Sequence, residues 1–245
     1  MELVKPSKMY VLKKQLTLKI QMHISSFMQL VIIELVMLLL TSYGGSMGEG
    51  TSSDNMIIDF KIHVPTVMFI ITLFWLFVVI LQLPSKEQRK IGSQFSYSST
   101  NHVVGDLLLI GLFSLTIALT TSMANYLQAM IRNLVFGAEY IIGYTLWNAP
   151  VVFFNNLFTM TVIALAVGTF SYVISILSQI SKWSIVGGAA LVLIFKSSMF
   201  HMYGTFLENI KSSSNSLLFD IPFLIISLIS MCIAYLMSNK LEVKM

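Results

Sequence analysis

Charge is what this 245-residue sequence has least of: Lys, Arg, Asp and Glu together make up 11% of it, where a soluble domain carries roughly 25%. With 56% of its residues apolar, the chain has too little polar surface to cover a fold in water. That excludes a soluble globular domain and implies an integral membrane protein. Cysteine is nearly absent. The one thiol, Cys232, lies in an apolar run, so no internal disulfide can form, and no Cys/His spacing reads as a zinc site. No G-x-x-x-x-G-K-[ST] occurs, so if ATP drives this chain another chain binds it. The four histidines, His23, His63, His102 and His201, fall near the ends of hydrophobic runs, two on each side of the bilayer, and cannot converge on one metal. Gly44-Gly45-Ser46-Met47-Gly48 matches G-x-S-x-G in letters. The hydrolase motif needs a strand before the serine and a helix after it, and here an apolar run precedes. No catalytic residue, metal ligand or cofactor site is assigned.

Long apolar runs are abundant. A bilayer-spanning helix needs about 20 such residues, and six stretches qualify: Ile24–Ser42, Val64–Leu83, Val103–Ala124, Pro150–Ser178, Ser184–Tyr203 and Leu217–Ser238. The first has a longer apolar core than a signal-peptide h-region and is expected to remain as a span. Six spans put both termini on one side. With the N-terminus inside, eleven Lys/Arg residues fall on inner segments and three (Lys61, Arg132, Lys211) on outer ones. The positive-inside rule therefore places both termini in the cytoplasm. The net charge of +4 bears on this orientation rather than on nucleic acid. The expected fold is a single all-α transmembrane domain over residues 1–245 in a cell membrane.

Within that frame, Met9, Leu12, Leu16 and Ile20 share one side of a possible helix in residues 1–23, with Lys8, Lys14, Gln15 and Lys19 elsewhere. This pattern predicts an amphipathic helix lying in the inner headgroup layer, apolar side toward lipid. The segment Asn125–Asn148 is too apolar for a simple loop yet carries Arg132 and Glu139, and is expected to form interfacial or re-entrant helix. Small residues four apart, Ala164/Gly168 and Ser184/Gly188, mark close helix contacts. A carboxylate at mid-span costs on the order of 3 kcal/mol, which singles out Glu34 in span one. At 1.5 Å per residue Glu34 lies roughly 15 Å from the cytoplasmic end and Lys196, in span five, roughly 18 Å. The two are expected to pair or to face one polar cavity, or else Lys196 snorkels outward and Glu34 is protonated. Asn155 and Asn156 in span four are expected to bond a neighbouring helix or line a conduit. Asp106, near the inner end of span three, is expected at headgroup level.

Residues 84–102 form the largest cytoplasmic element after the N-terminus, opening Lys86-Glu87-Gln88-Arg89-Lys90. Ile91 and Phe95, four apart, could project from a short helix into a groove on a soluble partner, with charges at the rim. This segment resembles the cytoplasmic coupling region of ABC-2 type permeases, the membrane halves of ATP-binding-cassette exporters. Glu87 stands for the family's acidic residue, Gly92-Ser93 for its Gly-Thr, Ser98 for its serine and Gly105 for its last glycine. Ser96 replaces the family's proline and Asp106 its lysine. Together with six spans and a basic N-terminal helix, the resemblance covers nearly the whole chain, and it is strongest to small permeases of Gram-positive peptide exporters.

The resemblance implies a permease subunit contacting a separate ATPase through Glu87, Arg89, Ile91, Gly92, Phe95 and Ser98, with ATP and Mg on that partner. It implies a second permease copy or homologue as well. The implied cargo is amphipathic cytolytic peptide, moved out for toxin secretion and self-immunity along a pathway that includes Glu34, Asn155, Asn156 and Lys196. Against this stand an ion-coupled carrier or channel using Glu34, Asp106 and Lys196 without an ATPase, an intramembrane enzyme, and a scaffold or immunity protein that sequesters peptides.

Overall fold

A computed structural model describes residues 8–43, 52–53, 56–57, 66–84, 99–136, 150–180 and 216–242 of the chain. They form α1 (Lys8–Met22), α2 (Ile24–Tyr43), α3 (Thr66–Gln82), α4 (Ser99–Phe136), α5 (Pro150–Ile180) and α6 (Ser216–Glu242). Two antiparallel two-residue strands, β1 (Ser52–Ser53) and β2 (Met56–Ile57), lie between α2 and α3. Five of the six apolar stretches thus coincide with helices; Ser184–Tyr203 lies outside the described residues.

Three of these helices are long and apolar enough to cross a membrane, over Val103–Gln128, Pro150–Ser178 and Asp220–Met237. Lys13–Met22 and Ile24–Leu40 meet that standard only as a pair bent by 50°. At 17 residues α3 is apolar but short, about 26 Å of helix against a hydrocarbon core of about 30 Å. Six full spans are therefore more than these helices supply by length and composition.

Local sequence explains several boundaries. Proline at the first position of α5 loses nothing, because that N–H has no intrahelical partner anyway. Nothing between Ser99 and Phe136 stops a helix, and α4 runs on for 38 residues, about 57 Å. Residues 125–136 are helical, as expected of them, and continue α4 without a break past a candidate span that ends at Gln128; 137–148 lie outside the described residues. At the α1–α2 bend the backbone stays bonded, with the His23 amide donating to the Lys19 carbonyl at 3.0 Å and the His23 carbonyl accepting from Ser26 at 3.0 Å.

Helix directions follow from side-chain bonds. Lys19 meets Asp106 and Glu34 meets Thr120, so α1–α2 and α4 run the same way. Ser171 donates to the Phe77 carbonyl at 2.8 Å and Ser175 to the Leu81 carbonyl at 2.6 Å, so α3 and α5 are also parallel. Tyr172 meets Asp106 and Ser122 meets Met160, which makes α4 and α5 antiparallel. This is the alternation of successive membrane spans.

The core lies between α3, α4 and α5, around Leu76, Ile80, Leu109, Ile110, Ile117 and Ile176, all fully buried. Ala164 and Gly168 are buried in it as expected of small residues at a helix contact. A Cβ on Gly168 would stand 2.8 Å from Ile110 Cγ2 and 3.0 Å from Ile80 Cδ1, so three helices cross there at a distance only glycine allows. One turn along α4 from Ile110, Phe113 stacks on Phe27 at 4.3 Å between centroids and receives the edges of Trp75 and His23. His23 is therefore a buried residue at the bend.

Candidate functional site: two polar layers in an apolar bundle

The buried carboxylates among the described residues lie at two levels. The first lies two turns into α4. Lys19 Nζ of α1 donates to Asp106 Oδ1 of α4 at 2.5 Å, and Tyr172 Oη of α5 donates to Asp106 Oδ2 at 2.8 Å. Asp106 is 0% exposed, so near the inner end of the third span it faces the interior of the bundle. Burying a carboxylate is tolerable only where its charge is paired and its oxygens are hydrogen-bonded, and here both conditions hold.

The N-terminal helix is corrected by this contact. Gln15, Lys19 and His23, four residues apart in turn, are the buried positions of this helical line, whereas Leu16 and Ile20 are only half-buried. The side facing the bundle is the polar one. Apolar periodicity alone assigned that side to water because the anion that makes its burial possible lies 87 residues away.

The second layer is about 21 Å further along α4. Thr120 Oγ1 donates to Glu34 Oε1 at 2.7 Å, and Glu34 is buried. On the opposite flank, Thr159 Oγ1 of α5 donates to Asp220 Oδ2 of α6 at 3.0 Å. Ser122, two residues beyond Thr120, reaches Met160 Sδ at 3.8 Å, so the Glu34 and Asp220 bonds sit at one height. Asp220 is 2% exposed, and its Oδ1 has no partner among the described residues. Asn155 and Asn156, both half-buried, stand one turn from Thr159.

Of the residues singled out by sequence, Glu34, Asn155 and Asn156 thus lie near the second layer, whereas Asp106 belongs to the first. Glu34 finds Thr120, whereas Lys196 lies outside the described residues. So do Glu87, Arg89, Ile91, Gly92, Phe95 and Ser98. What the sequence reading missed is Asp220, Thr159, Thr120 and Tyr172. Asp220 was detectable, being a carboxylate inside the sixth apolar stretch. The hydroxyls were not, because Ser and Thr in membrane helices usually bond their own helix, as Thr161 and Thr169 do here.

Chemically, the first layer is a closed ion pair joining three helices. The second holds two buried carboxylates, each accepting from a threonine hydroxyl. Comparison with protein-family models, curated proteins and solved structures finds no match to this chain.

Proposed function

We infer that the chain is the transmembrane permease subunit of an ATP-binding-cassette exporter of ABC-2 type, driven by a separate ATPase that holds ATP and Mg. Two permeases, copies or homologues, pair in the membrane and move amphipathic cytolytic peptides out of the cell. The observation that carries this reading is the anchoring of both ends of the 85–98 segment. On one side Ser175 holds the Leu81 carbonyl, one of the last carbonyls of α3, which lacks an intrahelical partner, and Leu83 and Pro84 are buried. On the other side α4 begins at Ser99 and reaches Asp106 within two turns. A loop that transmits force needs both feet fixed in the body it moves. A loop that merely joins two helices does not.

Glu87, Arg89, Ile91, Gly92, Phe95 and Ser98 are the proposed ATPase contacts, and Glu34, Asn155, Asn156 and Lys196 the proposed pathway. The test is purification of the tagged chain from its native membrane in mild detergent, with mass spectrometry and an ATPase assay. A stoichiometric ATP-hydrolysing subunit that is lost on Ile91→Asp plus Phe95→Asp is the expected result. A chain that emerges alone, while other membrane complexes survive the same treatment, overturns the permease reading in favour of the carrier. Asp106 is a poor ion site for that carrier, since Lys19 and Tyr172 already occupy both its oxygens.

A further inference from the structure

The side of α6 that meets the bundle is its polar one. Its buried positions are Asp220, Ser227, Ser230 and Ala234, spaced seven, three and four apart and so on one face of the helix. Ile221, Leu224, Ile225, Leu228 and Ile229 are exposed around them. Asp220 heads this face, and it is the least compensated of the three buried carboxyls among the described residues. Asp106 has a lysine and a tyrosine, and Glu34 accepts from Thr120 with Thr121 beside it. Asp220 accepts from Thr159 at Oδ2 only, and its buried Oδ1 has no donor among the described residues.

The helices that pack on α6 are α5 and α4, and neither brings a cation to this height. Tyr172 is the one titratable residue of α5, and it bonds Asp106 in the other layer. On α4, Ser122 marks the height of Thr159. His102 and Asp106 lie about 24 Å or more before it, Tyr126 about one turn past it and Arg132 about 15 Å past it. Along α6 the nearest titratable residue is Cys232, about 18 Å away. Glu34, across the layer, is a second acid. An ionised carboxylate so placed is costlier than the neutral acid, and such a group takes up a proton instead. Asp220 and Thr159 offer three oxygens, too few for a hard metal cation, which takes about six or more. A proton needs one.

Two residues on, Pro222 sits inside α6. It has no N–H to give the Leu218 carbonyl, so the turn that carries Asp220 is tied to the rest of the helix by one bond fewer. Where that turn moves off α5, the face it uncovers is hydroxyl-lined and accepts water.

We propose that Asp220 is a proton-binding site: it holds one proton while Thr159 bonds it to α5, and gives that proton to water when the first turn of α6 swings away. On opening, the carboxyl O–H breaks, the proton passes to water and both oxygens are hydrated; closing takes one proton back from water. The site does not rest on the permease reading, since an ATPase or an ion gradient could equally drive the swing.

Infrared spectroscopy of the full chain in nanodiscs at neutral pH is the test. A neutral carboxyl has a C=O band separate from those of carboxylates and of the amide backbone. Asp220→Asn is expected to remove one such band. Thr159→Val keeps the carboxyl but takes away its hydrogen bond, so it moves the same band to higher frequency, and it remains readable should the first variant fail to fold. If Asp220→Asn removes a carboxylate band instead, or Thr159→Val leaves every neutral-carboxyl band in place, the proton site is overturned. A carboxylate band that moves when Na⁺ replaces K⁺ overturns it in favour of a metal cation. The swing is read separately, from how fast the Asp220 band shifts after transfer to D₂O. Pro222→Ala restores the missing N–H and is expected to slow that exchange about fivefold, the factor that one net hydrogen bond represents. Unchanged exchange overturns the swing and leaves the proton site standing.

Discussion

Gly168→Ala tests the packing of the bundle at its tightest point. The added methyl would stand 2.8 Å from Ile110 Cγ2, 3.0 Å from Ile80 Cδ1 and 3.8 Å from Leu76 Cδ2. All three neighbours are fully buried, so none can swing out into lipid. Ile80 Cδ1 ends its side chain and can yield by rotation. Ile110 Cγ2 hangs directly from Cβ and moves only with χ1, which a helix restricts to one strongly preferred rotamer. Overpacking of this kind costs about 1–3 kcal/mol, and alanine's better helix propensity returns about 1 kcal/mol. The net loss is about 0–2 kcal/mol, which at about 2–4 °C per kcal/mol for a chain of this size lowers Tm by up to about 8 °C. Gly111 on α4 supplies the control, as a Cβ there meets nothing within 4 Å. Gly111→Ala keeps only the propensity gain and is expected to raise Tm by about 2–4 °C. Fluorescence-detected size exclusion after stepwise heating in detergent measures both. If the two substitutions move Tm in the same direction, the three-helix crossing at Gly168 is not as tight as its geometry indicates.

Four further outcomes are expected. Glu34→Gln keeps an acceptor for Thr120 and should lower transport far more than assembly; full transport by this variant returns Glu34 to a packing role. Thr120→Val removes the hydroxyl at 2.7 Å from Glu34 Oε1 while Thr121 stays beside the carboxylate, and is expected to cost about 0.5–1.5 kcal/mol, the net worth of one hydrogen bond, seen as a lower Tm. Thr159→Val leaves Asp220 Oδ2 without its threonine and should cost a similar amount, whereas Thr161→Val, whose hydroxyl bonds its own helix, should change Tm little. Ile91→Asp plus Phe95→Asp should abolish co-purification of an ATPase while leaving membrane insertion intact.

Much of the helical layout was readable because it depends on local composition. A run of apolar residues bounded by polar ones marks a span wherever the chain is cut, and five runs coincide with helices. The third span was expected to end at Ala124 and helix to follow in 125–148; that the two are one unbroken α4 as far as Phe136 was not readable from polarity. A helix stops for backbone reasons, and residues 125–136 contain neither proline nor glycine. The burial of Asp106 and of Lys19 on α1 was missed for a different cause. Each looks like a surface feature alone, since a lysine and an aspartate both favour water until they are known to meet. Their pairing joins positions 19 and 106, and no periodicity encodes a contact at that separation. Glu34 lay between these cases: mid-span depth gave its burial, but Thr120 as its partner came only with the structure.

The serine bonds that tie α5 to α3 are unequal in what they ask of the two helices. Ser171 and Ser175 must each be a residue with a hydroxyl, but the acceptors are the carbonyls of Phe77 and Leu81, which every amino acid carries. The alignment of the pair is therefore inherited through α5 alone. Substitutions at 77 and 81 can drift among apolar types without losing either bond, and a mutational scan should find α3 permissive at those two positions where α5 is strict at 171 and 175.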